Sequence, residues 1–269
     1  MKIVSFTGGL GNQLFEYLFY QQLSRRYRHV YGYYRQSRLG INGLELQQWF
    51  DVQLPTATWY SNFLAAAYKI LMKLHLCHPT DEDTYTDGSR GFFFESFFQG
   101  RRFHEESDIQ QLTFRPFELS DTNKRALSLI QSVESVAIHV RRGDYMLTEN
   151  YKVLGNICTE EYYRLAVKQI QTLVSNPHYF VFSDDIDWCR AHFDYLERVE
   201  FIDWNVGKNS FYDMYLMSKC RHHIIANSTF SYWSARISTS DGITIYPERW
   251  LWGWDAPDIF PDSWKGILT

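Results

Sequence analysis

The residues best suited to chemistry fall in four short runs, each placed where an apolar stretch ends. The sharpest is His139-Val140-Arg141-Arg142-Gly143-Asp144. Ser135 to Val140 reads as a buried strand that leads into two adjacent arginines. An arginine at the end of a parallel strand is placed to fork onto a phosphate through paired N–H donors. Asp144 has two roles open to it, holding one arginine in place or taking a proton as a base. His139 is either a satisfied core histidine or a hydrogen-bond partner for a ribose or a base. Neighbouring side chains on a strand point to opposite faces. If both arginines stay on the strand, one faces the ligand and the other pairs with a carboxylate. If the strand ends at Val140, both turn toward the ligand.

The other runs carry compatible chemistry. Gly8-Gly9-Leu10-Gly11-Asn12-Gln13 is a tight turn between a strand and a helix. Glycine lets the backbone approach a ligand, and a helix N-terminus attracts anions. The turn lacks the GK[ST] of a Walker A loop. Leu14 stands where a dinucleotide fingerprint needs its third glycine. A plain strand-to-helix turn is the competing reading. Asn227-Ser228-Thr229-Phe230 follows an apolar strand. Its hydroxyls either cap a helix or meet a phosphate together with the free N–H groups there. Ser183-Asp184-Asp185 follows a third strand. Asp184 or Asp185 is expected to read the N–H edge of a purine. Asp185-x-Asp187 and Asp81-x-Asp83 have the form of a metal-binding DxD, but such tripeptides arise often by chance, and no metal site is expected.

These runs need elements to hold them. Lys2 to Phe6 is expected as a strand, Leu10 to Tyr27 as a helix and Val30 to Tyr34 as a second strand. From Leu39 to Asp121 the chain is aromatic-rich and irregular, with helices at 59–76 and 121–132. A regular series then begins, with strands at 135–140, 179–183, 199–202, 222–226 and 243–246. They alternate with helices at 159–174, 186–193, 209–220 and 228–239. Alternation of this kind builds a parallel sheet covered on both faces. The expected fold is α/β, with two Rossmann-like lobes, 1–132 and 133–269, joined near 125–135. In open parallel sheets ligands sit at the carboxyl ends of strands. Polar runs at four strand ends, in both lobes, suggest one cleft between the lobes.

Composition narrows the classes. With 269 residues the chain can bury a large core, and its 18% aromatic content fills that core with rings to spare for a sugar groove. The net charge of −4 argues against nucleic acid as a partner. Cys77, Cys158, Cys189 and Cys220 form no CxxC pair and read as reduced, buried thiols. MKIVSFTGGLGNQ lacks the apolar core of a signal peptide, and no run reaches the length of a membrane span. A cytoplasmic protein is expected. The stretch from Trp59 to Leu76 carries Lys69 and Lys73 and reads as an amphipathic helix. It either packs inside the protein or touches the inner membrane face peripherally.

Four blocks, GGLGNQLFEY, HVRRGDY at 139–145, FSDDIDWC at 182–189 and NSTFSYWSA at 227–235, resemble the α1,2-fucosyltransferases of glycosyltransferase family 11. ESFFQGRRF at 95–103 is similar to an aromatic block of that family, with Glu95-Ser96 in place of its usual Gly-Tyr start. The order matches and the blocks span nearly the whole chain. The resemblance implies a GT-B-type fold, with the acceptor on the N-terminal side and the donor on the C-terminal side. It implies GDP-β-L-fucose as donor, inversion at the anomeric carbon, no metal or other cofactor, and transfer to O2 of a terminal galactose on an oligosaccharide or lipid-linked glycan. The donor contacts then fall to Gly9, Gly11, Asn12, His139, Arg141, Asp184, Asp185, Asn227, Ser228, Thr229 and Phe230. GDP leaves easily once its new charge is held by cationic and N–H donors, and Arg141 and Arg142 are the candidates. The acceptor hydroxyl must lose a proton. Asp144 and Glu149 are candidate bases, with His139 behind them, and more distant fucosyltransferases favour Glu149 by analogy.

Overall fold

A computed structural model describes residues 1–87, 90–255 and 258–268. The chain divides into two compact units, Met1–Pro116 and Phe117–Thr269. In the first, β1 (Lys2–Gly8), α1 (Leu10–Arg26) and β2 (Val30–Leu39) form the expected strand-turn-helix-strand opening. Then come α2 (Leu46–Trp49), α3 (Trp59–Lys73), β3 (Phe93–Phe94) and α4 (Glu106–Gln110). The sheet order is β2-β1-β3, and both pairs are parallel. Strand β3 escapes sequence reading because two phenylalanines carry no period. It pairs with Ile3 and Val4 of the central strand.

The irregular aromatic stretch is the core of this unit. Phe19 of α1 stacks on Phe98 at 3.6 Å between ring centroids, and Tyr85, Phe94 and Phe103 meet it edge-on. These rings are spent on packing, whose offset and edge-on geometry suits their quadrupoles.

The second unit contains α5 (Asp121–Ser132), β4 (Ser135–Val140), α6 (Thr148–Asn150), α7 (Glu160–Leu173), β5 (His178–Ser183), α8 (Ile186–His192) and β6 (Val199–Ile202). It continues with α9 (Phe211–Lys219), β7 (His222–Ile224), α10 (Thr229–Arg236), β8 (Thr244–Pro247), β9 (Arg249–Leu251), β10 (Trp254–Asp255) and β11 (Lys265–Ile267). Six strands form one sheet in the order β11-β8-β7-β4-β5-β6, with every pair parallel. Counted from β4, this is the doubly wound order 3-2-1-4-5-6. The strand order reverses between β4 and β7. All six residues of β4 are buried, as a central strand covered on both faces requires. Helix α7 starts as its sequence demands, the Thr159 side chain accepting from the Tyr162 N–H above an acidic first turn.

Two expectations need correction. The division falls after Pro116 and not after residue 132. Helix α5 belongs to the second unit, where Ala126 and Ile130 pack with Phe180, Leu216, Met217 and Cys220. Its apolar spacing announces a buried face and leaves open which sheet it covers. The sheet also has a sixth strand, the short edge strand β11, and β9 and β10 form an antiparallel hairpin. Three-residue strands give too little alternation to be read. All four cysteines are free; Cys189 and Cys220 are buried, Cys77 and Cys158 partly exposed.

Candidate active site

Three of the four polar runs leave one edge of one sheet. Strands β4, β5 and β7 are neighbours in it, and their carboxyl ends release the His139, Asp184 and Asn227 runs. The first and last flank the point where strand order reverses, the place where open α/β sheets form their ligand crevice. The glycine turn ends β1 in the other sheet.

Strand β4 stops at Val140, so both arginines lie off it, at the entry to a 3-10 turn over Gly143–Met146. Their fixings differ. Arg142 donates from Nε to Asp185 at 3.0 Å, lays its guanidinium over the Trp188 ring at 4.2 Å and gives its backbone N–H to Asp184 at 2.8 Å. Arg141 bridges Asp144 at 2.6 Å and Asp184 at 2.8 Å, and is the more exposed of the two. Gly143 is a glycine for a local reason: a β-carbon there would stand 2.6 Å from the Asp184 carboxylate. Asp184 thus binds the first run to the second. Asp185 also caps α8, accepting from the Trp188 N–H at 3.2 Å, while its own N–H donates to Ser183 at 2.9 Å. Both carboxylates expected at a purine edge are therefore engaged with the arginines and the backbone. Asp187 sits in the first turn of α8. Among the described residues no group of three His, Cys, Asp or Glu is placed to hold a metal ion.

His139 is buried, and burial lowers its pKa to about 3, with the charge of Arg141 adding to the effect. It is a neutral imidazole at ordinary pH and a poor proton acceptor. Its Nδ1 is buried without a hydrogen-bond partner among the described residues, and the ring lies 5.7 Å from Phe230. Asp144 and Glu149 are also unlike. Asp144 is tied to Arg141, and its carbonyl accepts from Asn150 at 2.9 Å. Glu149, on α6, is exposed and, among the described residues, bears neither a hydrogen bond nor an ion pair.

Asn227 is a buried brace. Its Nδ2 donates to the carbonyls of Leu154 and Trp250, both at 3.2 Å, and its carbonyl accepts from Tyr145 at 3.1 Å. Ser228 occupies the N-cap of α10 without its side chain closing a cap bond. Thr229 and Phe230 follow, partly exposed. Tyr145 and Trp188 are two site residues that residue-type reasoning passed over. One joins the Arg141 run to the Asn227 run and the other backs Arg142. Both lie inside matching sequence blocks, which was the available signal. Asp213, in the first turn of α9, is a buried acid outside these runs. It accepts from Asn205 at 2.8 Å, and burial raises it from 3.8 to about 8.

In the glycine turn, Gly8 takes φ +69°, the left-handed region that favours glycine. Gly9 caps α1 at an ordinary φ of −84°, and a β-carbon there would meet nothing within 4 Å. Gly11 is buried and Asn12 lies against Gly8. The buried Gln13 makes four bonds, to the carbonyls of Gly8 and Gly43 and from the N–H groups of Glu45 and Leu46. The first amide of α1, at Leu10, is taken by the buried Glu45 carboxylate, whose pKa burial raises. That end of the helix is partly satisfied by the chain's own acid. A cavity of about 550 Å³ lies elsewhere, at the amino-terminal edge of β5 between Gln171, Tyr179 and Arg198, away from the chemistry.

A parallel sheet in this order, with paired arginines at its switch point, defines a doubly wound α/β architecture. The model of the family described as glycosyl transferase family 11 matches residues 4–267, so the chain belongs to that family. It is 31% identical over 287 residues to an alpha-1,2-colitosyltransferase of Escherichia coli, covering 98% of each chain. It is 30% identical over 138 residues to galactoside alpha-(1,2)-fucosyltransferase 1 of Saimiri boliviensis boliviensis, over 49% of this chain and 38% of that one. The NodZ alpha-1,6-fucosyltransferase structure soaked with GDP-fucose shares the fold, with a TM-score of 0.53 at 11% identity, covering 87% of this chain and 91% of that one.

Proposed function

We propose that this glycosyltransferase moves L-fucose from GDP-β-L-fucose to O2 of a terminal β-galactose, with inversion, on a GT-B-type fold and without a metal. The observation that carries the reading is the fixed arginine pair at the switch point of the second unit. A departing diphosphate needs charge-assisted donors set before the reaction begins. Arg141 is the arginine we assign to it. The diphosphate would replace Asp144 or Asp184 as the partner of a guanidinium that is already oriented and open to solvent. Arg142, clamped between Asp185 and Trp188, holds the loop. Ser228 and Thr229, after the neighbouring strand β7, offer further hydroxyls. The neutral His139 and the ring of Phe230 suit a nucleoside.

For the proton, Glu149 is the better base, because its carboxylate is uncommitted while Asp144 is held by Arg141. The family and the galactoside-directed relative support a galactose-terminated acceptor. A second donor has specific support. A relative matched along almost its whole length is a colitosyltransferase, and colitose differs from fucose by one missing hydroxyl. The deciding experiment offers GDP-fucose and GDP-colitose separately with lactose, follows GDP release and reads the product linkage by NMR, with EDTA in a parallel arm. An α1,2-fucosylated product in EDTA is expected. Preference for GDP-colitose moves the donor assignment. Loss of turnover on chelation, restored by Mn²⁺, refutes the metal-independent reading.

A further inference from the structure

Helix α3 is apolar on two faces, and the fold uses one. Inward, Ala65 is buried, and Leu64, Tyr68 and Met72 pack with Ile3 and Phe93. Outward, Trp59 is 81% exposed, Phe63 64%, Ile70 60% and Leu74 60%. With Ala66 between Phe63 and Ile70, they recur at helical spacing and form one stripe. The helix then closes back on itself. The Leu76 N–H donates to the Leu71 carbonyl and the His75 N–H to the Met72 carbonyl, both at 3.0 Å, with His75 at φ +56°. This is a Schellman closure in which histidine takes the position that glycine usually holds. It leaves Leu71 and Leu76 exposed beside Leu74. Single exposed apolar residues are ordinary; a continuous stripe marks a contact surface.

Charge identifies the occupant. From Val52 to Thr80 the chain contains no Asp or Glu. Lys73, His75 and His78 are exposed along the same segment. Trp59 and Tyr60 pair at the amino end with ring centroids 5.7 Å apart, the kind of amphipathic rings that settle at headgroup level. A second copy docking by this face would set Lys73 against Lys73 with no Asp or Glu within the segment to pair them. An anionic lipid surface supplies the missing sign. No helix among the described residues is long and apolar enough to cross a membrane, so contact of this helix with a bilayer would be interfacial. We propose that the outer face of α3 rests on an anionic bilayer, its stripe entering the headgroup boundary and Lys73 meeting the phosphates. The proposal does not depend on which sugar is transferred.

The test is co-sedimentation of the full chain with phosphatidylcholine vesicles, with and without phosphatidylglycerol, at low and high salt. The wild type should bind the anionic vesicles and release them as salt rises. The double variant Phe63→Gln/Ile70→Gln should lose roughly tenfold or more in partitioning, as expected when buried apolar area is removed from an interfacial helix. Lys73→Gln should weaken binding to anionic vesicles alone. All variants should keep wild-type turnover on a soluble acceptor, which shows that they fold. Absence of wild-type binding, or undiminished binding by the double variant, overturns the proposal. So does a dimer in sedimentation velocity that Phe63→Gln/Ile70→Gln dissolves, since the face would then belong to a second copy.

Discussion

Arg141 and Arg142 are neighbours with different partners, and the different duties we propose for them can be measured. Lysine keeps the charge and loses the fork. Arg141→Lys is expected to lower kcat by roughly 100-fold or more, the scale of losing one transition-state donor, with little change in melting temperature. Arg142→Lys abandons the Asp185 bond and the Trp188 face, so its loss should show in stability as well as turnover. Equal kinetic and thermal effects in the two variants would contradict this division of labour. The acids separate in the same way. Glu149→Gln should abolish transfer while GDP still binds. Asp144→Asn frees Arg141 and should weaken GDP affinity, readable by calorimetry. If Asp144→Asn stops transfer at full GDP affinity, Asp144 is the base.

Asp213 ties stability to pH. Its folded pKa, about 8, lies above the ordinary 3.8, so the folded state holds a proton that the unfolded chain gives up. That contribution is complete below pH 4 and is lost as pH rises toward 8. Glu16 and Glu45 are raised by burial too and act with the same sign. Asp213→Asn should flatten the fall of melting temperature between pH 5 and 8, and an unchanged slope would show that the carboxylate is ionised in the folded protein.

At the scale of elements, the site is two loops locked by one carboxylate. Asp184 receives the Arg142 N–H and an Arg141 nitrogen, and the space it needs exists because residue 143 has no side chain. Gly143→Ala would push the carboxylate away from both donors. A stability loss of about 1 kcal/mol follows from the broken charged contacts, together with reduced kcat at nearly unchanged secondary structure. Circular dichroism and denaturant melts read the first, and steady-state rates the second. Wild-type values on both counts would show that the two loops are independent.

At the scale of the molecule, the unit boundary makes its own prediction. A fragment beginning at residue 133 lacks α5 and uncovers Phe180, Leu216, Met217 and Cys220, whereas one beginning at 117 keeps them covered. The longer fragment should melt cooperatively and the shorter one should aggregate or melt without a transition. Equal behaviour would place α5 outside the cooperative core.

Sequence alone determined much of this molecule. The strand Ser135–Val140 and the position of Arg141, Arg142 and Asp144 at its end were legible because a largely apolar run ending in charge has few alternatives in a parallel sheet. The βα alternation after residue 135, the Thr159 cap and the opening strand-turn-helix were legible because local periodicity and capping chemistry act within a few residues. Family membership was legible because its four blocks keep their order along the chain. Tertiary structure decided the rest. Which sheet α5 covers, the aromatic packing around Phe19, strands β3 and β11, and the outward stripe of α3 depend on partners far away in sequence. So do the different partners of two adjacent arginines, set in part by carboxylates more than forty residues downstream. A side chain's type announces what it can do. Its partners decide which of those things it does.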